Sequence, residues 1–241
     1  MNGSAIDNQL IEIISGPPPT TIADVLTLMQ KIDSLLPSSD GLKWFNLLYM
    51  LVTQKVESSP PPEGWKDPAW LTRLDVVFAQ FYVAAISNWL TSPGYVPSSW
   101  NVLFEARFRP GIERIQFALA GMNAHIDHDL ALALLQTDAE MNRIPGNTSP
   151  EHDDFEQVNG ILEAVLPQAL EFLAVGILGE LAQDTGKIGR LLAIWNVRAA
   201  RDLAWDFADQ LRTLTGIARD SALTAQDQVT GALGRSLLLA V

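Results

Sequence analysis

Residues 121–130 read Gly-Met-Asn-Ala-His-Ile-Asp-His-Asp-Leu, and two of the chain's 3 histidines lie within them. Apolar sequence flanks the segment on both sides, residues 115–120 before and 130–135 after. His125, His128 and Asp129 are spaced to share one face of a helix, since side chains three and four apart lie together. Two imidazoles and a carboxylate on one turn form a set that binds zinc, iron or manganese while leaving positions open for water. The same set without a metal is an acid–base pair, with His125 carrying protons and Asp129 orienting its ring. A third reading is purely structural, with both histidines hydrogen-bonded in a core.

The element that carries these residues is predicted as one long buried helix over about 110–136, opened by Pro110 in its first turn. It has no proline between Pro110 and Pro145 and is apolar nearly all the way round. Polar groups buried on it need partners, because an unsatisfied one costs a few kcal/mol. Arg114, Ala118 and Gly121 fall on the His125 face. Arg114 is placed to bind a substrate carboxylate or to hold Asp129 ionised. Ala118 and Gly121 are small enough to serve as a pocket floor. Asn123 and Asp127 fall on the opposite face and are read as a general base or as groups supporting the ligands. Glu105 belongs to a charge-rich patch just upstream, and Arg201 with Asp202 to a second patch that can meet the central site. His152, with Asp153 and Asp154, reads as a solvated group in an acidic loop over 137–156.

The rest of the chain supplies helices to surround that element. Thr20 or Thr21 is a cap for a helix over 22–36, and Asp67-Pro68 opens another that runs to about residue 90. Further helices are predicted over 7–15, 42–56, 99–107, 155–181 (kinked near Pro167), 188–214 and 221–240. Prolines 60–62 make a stiff linker. No segment alternates with period two, so no strand is expected. The expected architecture is all-α, a single domain of roughly eight helices by pattern. Residues 1–66 would pack on a core of about 67–217, and 218–241 would close it.

Composition bounds the partners. The 241 residues are 48% hydrophobic and only 18% charged, with a formal net charge of −12. That suits a large interior or a homo-oligomer interface, and it argues against nucleic acid and anionic membrane as partners. There is no cysteine, which removes disulfides, thiolate nucleophiles and thiolate-held metals. The first 16 residues lack a basic n-region, and no apolar run reaches ~18 uninterrupted residues, so neither a signal peptide nor a membrane span is expected. The expected location is the cytoplasm, and the expected partner is a small-molecule ligand.

The block Gln116-Phe117-Ala118-Leu119-Ala120-Gly121-Met122-Asn123-Ala124-His125-Ile126, followed by Asp129-Leu130, resembles the signature of the DUF5995 family of bacterial helical proteins. Trp100, Leu103 and Phe104 upstream and residues 200–205 downstream fit the same resemblance, which spans about 70–211. The resemblance implies a helical fold and no assigned activity. It marks Asn123, His125 and Asp129, with an aromatic often taking the place of His128.

Three functional readings follow from the residues. The first is a metal-dependent enzyme, most plausibly a hydrolase, whose ion activates a bound water. The second is a metal-free cyclase or isomerase acting on an apolar small molecule. The third is a helical module that binds a ligand or protein without catalysis.

Overall fold

Helix starts carry the clearest local signals, and the structure follows them. The Thr21 hydroxyl accepts from the Asp24 amide, and the Asp24 carboxylate accepts from the Thr21 amide in return, closing a capping box on α2 (Ile22–Leu35). Asp40 caps α3 (Gly41–Ser58) by accepting from the Leu42 amide. Asp67 caps α4 (Pro68–Thr91) by accepting from Trp70, with Pro68 in the first turn. In this computed structural model, residues 3–174 and 196–239 are described. Their other elements are α1 (Gly3–Ile14), α5 (Ser98–Ala106), α6 (Arg114–Ala124), a π turn (His125–Asp129) and α7 (Leu130–Met141). α8 (Pro150–Ala174), α9 (Val197–Thr213) and α10 (Gly216–Leu239) follow. The fold is all-α, and no strand occurs among the described residues.

One rod, α6–π turn–α7, runs through the middle. α6 is wedged between α3 and α10, and α7 between α4 and α9. Every residue from Ile115 to Ala124 is buried. The rod begins at Arg114 rather than Pro110, because Gly111 adopts φ +81 and turns the chain before the helix can start. It ends at Met141, where Asn142 takes a left-handed cap. α3 lies directly against α6, and Phe45 and Leu48 are fully buried there. Residues from Ile6 to Leu238 share one hydrophobic cluster. Helices α1–α3 therefore contribute side chains to that cluster.

The acidic stretch 137–156 is not a loop. α7 takes its beginning and α8 its end, leaving 142–149 between them. Two of its acids are interior joints. Asp138 accepts from the Trp70 indole at 2.8 Å and pairs with Arg212. Asp154 accepts from the Lys66 and Asp67 amides at 2.8 and 2.6 Å, tying α8 to the start of α4. These are tertiary partners, so nothing local in the sequence announces them. α8 runs through Pro167 and is described to Ala174, and α9 starts after Asn196, which caps it. The expected helical residues 175–181 and 188–195 lie outside the described ones. α4 has the length and composition to cross a membrane, at mean hydropathy 1.3 over its window, with half of that window buried in this fold.

Candidate functional site

The π turn sits where the sequence put its chemistry. The Leu130 amide reaches back five residues to the His125 carbonyl, and the His125 amide is shared between the carbonyls of Gly121 and Met122. Such single wide turns inside α-helices recur at functional sites. Here the turn brings both rings onto one carboxylate. His125 Nδ1 lies 3.0 Å from Asp129 Oδ2, and His128 Nδ1 lies 2.8 Å from Asp129 Oδ1. From α5, the Trp100 indole donates to Oδ2 at 2.9 Å. Asp129 is buried, with both oxygens engaged.

These contacts fix the charge states. Burial alone would raise Asp129, but hydrogen bonds from the two imidazoles bring its carboxyl below the usual range, so it is ionised at neutral pH. Burial lowers His125, and Asp129 only partly offsets that, so the ring is neutral. Neutral His125 then donates from Nδ1 and carries its lone pair on Nε2. His128 is also buried, but the hydrogen bond and charge of Asp129, helped by Asp227, hold it above the ordinary histidine value. Its Nε2 lies 3.8 Å from Asp227 Oδ1. Asp227 in turn accepts from the Ser98 and Ser99 amides and the Ser99 hydroxyl, so α10 caps the start of α5.

Aromatic rings hold the His125 plane. Phe78 stacks on it with centroids 3.5 Å apart and planes 5° apart, and Tyr49 meets it edge-on at 4.5 Å. His125 Nε2 is buried and has no hydrogen-bond partner among the described residues. Asn123 Oδ1, Thr137 Oγ1 and Thr230 Oγ1 are also unpartnered. His125 lines a cavity of about 40 Å³ between α3, α4, α8 and α9. Val52, Val56, Phe78, Met122, Ile126, Val158 and Leu162 make that cavity largely apolar, and Asp75 and Arg201 add the charge. By volume it holds a few waters.

Arg201 is buried. It donates to Asn159 Oδ1 at 2.6 Å and to the Phe155 carbonyl at 2.9 Å, and its guanidinium lies 4.0 Å over the Phe155 ring. Burial lowers it to about 10, so it is still a cation at neutral pH. Asp75 is half-buried, and burial lifts its carboxyl to about 7 despite the opposing charge of Arg201.

The other residues singled out in the sequence are placed elsewhere. Gly121 is no pocket floor: the Phe45 ring of α3 packs onto it, and a Cβ there would collide with that ring. Arg114 is at the far end of α6, with its guanidinium 4.3 Å over the Trp44 ring. Glu105 is exposed and accepts from Asn101. Asn123 donates to the Thr230 carbonyl at 2.9 Å, and so clamps α10. Asp127 is on the opposite face, as expected, and its carbonyl accepts from Gln226 of α10. Arg198, in the same patch as Arg201, pairs with Glu163 and Glu156. His152 rests edge-on against Trp205. His125, Asp129 and Arg201 are thus brought to one site, with His128 behind the carboxylate.

Sequence reasoning missed Asp75, Tyr49 and Phe78. Asp75 carried a usable signal. It is the one charged residue in the apolar run 74–86, the same pattern that singled out the central helix. Among the described residues, no three His, Asp or Glu side chains gather as a metal-binding group. His125 and His128 both turn Nδ1 onto Asp129.

The family model described as "Family of unknown function (DUF5995)" matches residues 22–240, well beyond the 70–211 of the signature blocks. No curated protein and no solved structure matches the chain.

Proposed function

We propose that this chain, which belongs to the DUF5995 family, is a metal-free acid–base enzyme acting on a small, largely apolar molecule. One observation carries the reading. A buried neutral imidazole has Nδ1 fixed on an ionised carboxylate and Nε2 unspent, on the wall of a cavity. That is the arrangement of an oriented general base.

His125 takes a proton at Nε2 and becomes an imidazolium. Asp129, already ionised, stabilises that charge through the Nδ1 hydrogen bond. Trp100 and His128 keep Asp129 from following the proton or rotating away. Phe78 and Tyr49 hold the ring plane, so the base meets a bound molecule at a fixed angle. Proton removal and return within an apolar enclosure is the chemistry of an isomerase or a cyclase. A hydrolase with zinc, iron or manganese held by His125, His128 and Asp129 ranks below it, because metal binding would displace the hydrogen bonds that orient the pair.

Nitrogen-15 NMR of the histidine rings tests the proposal. At pH 7, His125 should be neutral with its proton on Nδ1, and it should titrate below the ordinary histidine range. A proton on Nε2, or a charged ring at pH 7, overturns the base role. A large fall in melting temperature on adding EDTA overturns the metal-free reading.

A further inference from the structure

The cavity beside His125 contains a cation and an acid that do not pair. Arg201, from α9, spends its hydrogen bonds on two neutral oxygens. Asp75, from α4, makes no hydrogen bond or ion pair among the described residues. Both line the same apolar cavity. A buried guanidinium gains most from a carboxylate, which matches its fork of donors. Among the described residues no carboxylate reaches it at contact distance.

Asp75 also faces outward. With Val56 it lines a surface groove of about 360 Å³, bordered by Thr21, Glu57, Trp65 and Thr72. The same two side chains therefore separate solvent from the inner cavity. A molecule entering by the groove passes Asp75 first and reaches Arg201 and His125 beyond it.

We infer that the cavity binds a small aliphatic monocarboxylate, its carboxylate on Arg201 and its tail against Phe78 and Ile126, and that Asp75 takes up one proton on binding. The inference rests on reading this cavity as the functional site. Two carboxylates facing one guanidinium across an apolar pocket repel each other, which favours a proton on the weaker acid. Asp75 already titrates near 7. The charges acting on it are Arg201 from α9 and Glu57 from α3, with Glu156 and Asp202 acting on Arg201, while Tyr49 from α3 and His125 from the π turn line the same cavity. Of these, the buried guanidinium lowers Asp75 and Glu57 raises it. An arriving anion occupies Arg201 and adds its own repulsion. The protonated Asp75 then donates to the bound carboxylate and stands across the cavity from His125 as the acid opposite the base.

The test uses butyrate as probe, with butylamine as the cationic control, and calorimetry of the full-length protein in two buffers of different ionisation enthalpy. Butyrate should bind one to one. At pH 8 it should draw close to one proton from solution, since Asp75 is then about nine-tenths ionised when free. Affinity should fall about tenfold per pH unit above 7. Asp75→Asn should bind butyrate more tightly, with no proton uptake and no pH slope. Arg201→Gln should lose binding, with circular dichroism confirming that it folds. The two readings fail separately: a wrong His125 tautomer with normal butyrate uptake by the wild type sinks the enzyme and spares this inference. No butyrate binding by the folded wild type overturns it. So does binding without proton uptake, an Asp75→Asn variant that behaves as wild type, or a preference for butylamine.

Discussion

Two of the buried clusters of charge end differently. At the first, Arg107 and Asp40 are both nearly inaccessible, and Arg107 donates to the two carboxylate oxygens at 3.0 and 2.6 Å. Asp40 also caps α3, Asp7 takes a further guanidinium N–H, and the Arg107 carbonyl accepts from Gly41. Each strong group there has its partner. At the second, Asp129 is equally complete, with three donors around it, yet the chain of contacts stops at His125 Nε2 beside a cavity. Burial and charge alone mark a joint. Burial with one valence unspent next to empty space marks a place for chemistry.

Variants can break that contrast. The largest effect is expected at the joint: Arg107→Ala strands Asp40 and should cost about 3–5 kcal/mol in urea unfolding. If it is mild, the pair is not the closed structural unit described. Gly121→Leu should follow at about 1–3 kcal/mol or more, since the new side chain must displace Phe45. A stable variant with the cavity filled would restore Gly121 as a pocket floor. Trp100→Phe removes one neutral donor from an ionised acceptor and should cost about 1.5–3 kcal/mol. It should also bring His125 closer to its ordinary titration, which NMR reads directly.

The two histidines should pull stability in opposite directions with pH. His125 is lowered in the fold, so the unfolded chain binds its proton first, and stability is lost as pH falls below about 6.5. His128 is raised, so the folded chain keeps its proton longer. Its contribution is full below about 6.5 and lost as pH rises through the folded value. Urea melts from pH 5 to 8 should therefore show less acid sensitivity in His125→Gln and a smaller loss toward alkaline pH in His128→Gln. Identical profiles for both variants would remove the distinction between the two rings. The smallest effect is expected at Glu105→Ala, within about 0.5 kcal/mol, since Glu105 is exposed and bonds only to Asn101.

What the sequence disclosed was local. Thr21, Asp67 and Pro68 could be read as helix starts because a cap acts within three residues of itself. His125 and Asp129 could be read as a pair because four residues bring side chains together on a helix. Gly121 could not be read, because smallness fits both a floor and a crossing, and Phe45 arrives from 76 positions away. Asp138 and Asp154 looked solvated because their partners, Trp70 and the amides of Lys66 and Asp67, lie on α4 or just before it, 68 to 88 positions away. Asp75 is on a helix 50 residues before His125, and only the packing of α4 beside the π turn makes them neighbours.

The wide turn also changes the phase of the rod. A π turn carries one residue more than the α-helix it interrupts, so everything after it is rotated by about 100° relative to an unbroken helix. Upstream of the turn, the rod is matched to α3 and α10; downstream, it is matched to α4 and α9. The extra residue acts as a stutter does in a coiled coil, resetting the apolar stripe so that one continuous rod serves two sets of neighbours. His125 and Asp129 occupy the changeover. Deleting a single residue between them would leave the composition almost untouched and put α7 out of step with both partners. The site and the register of half the bundle are therefore encoded in the same five residues.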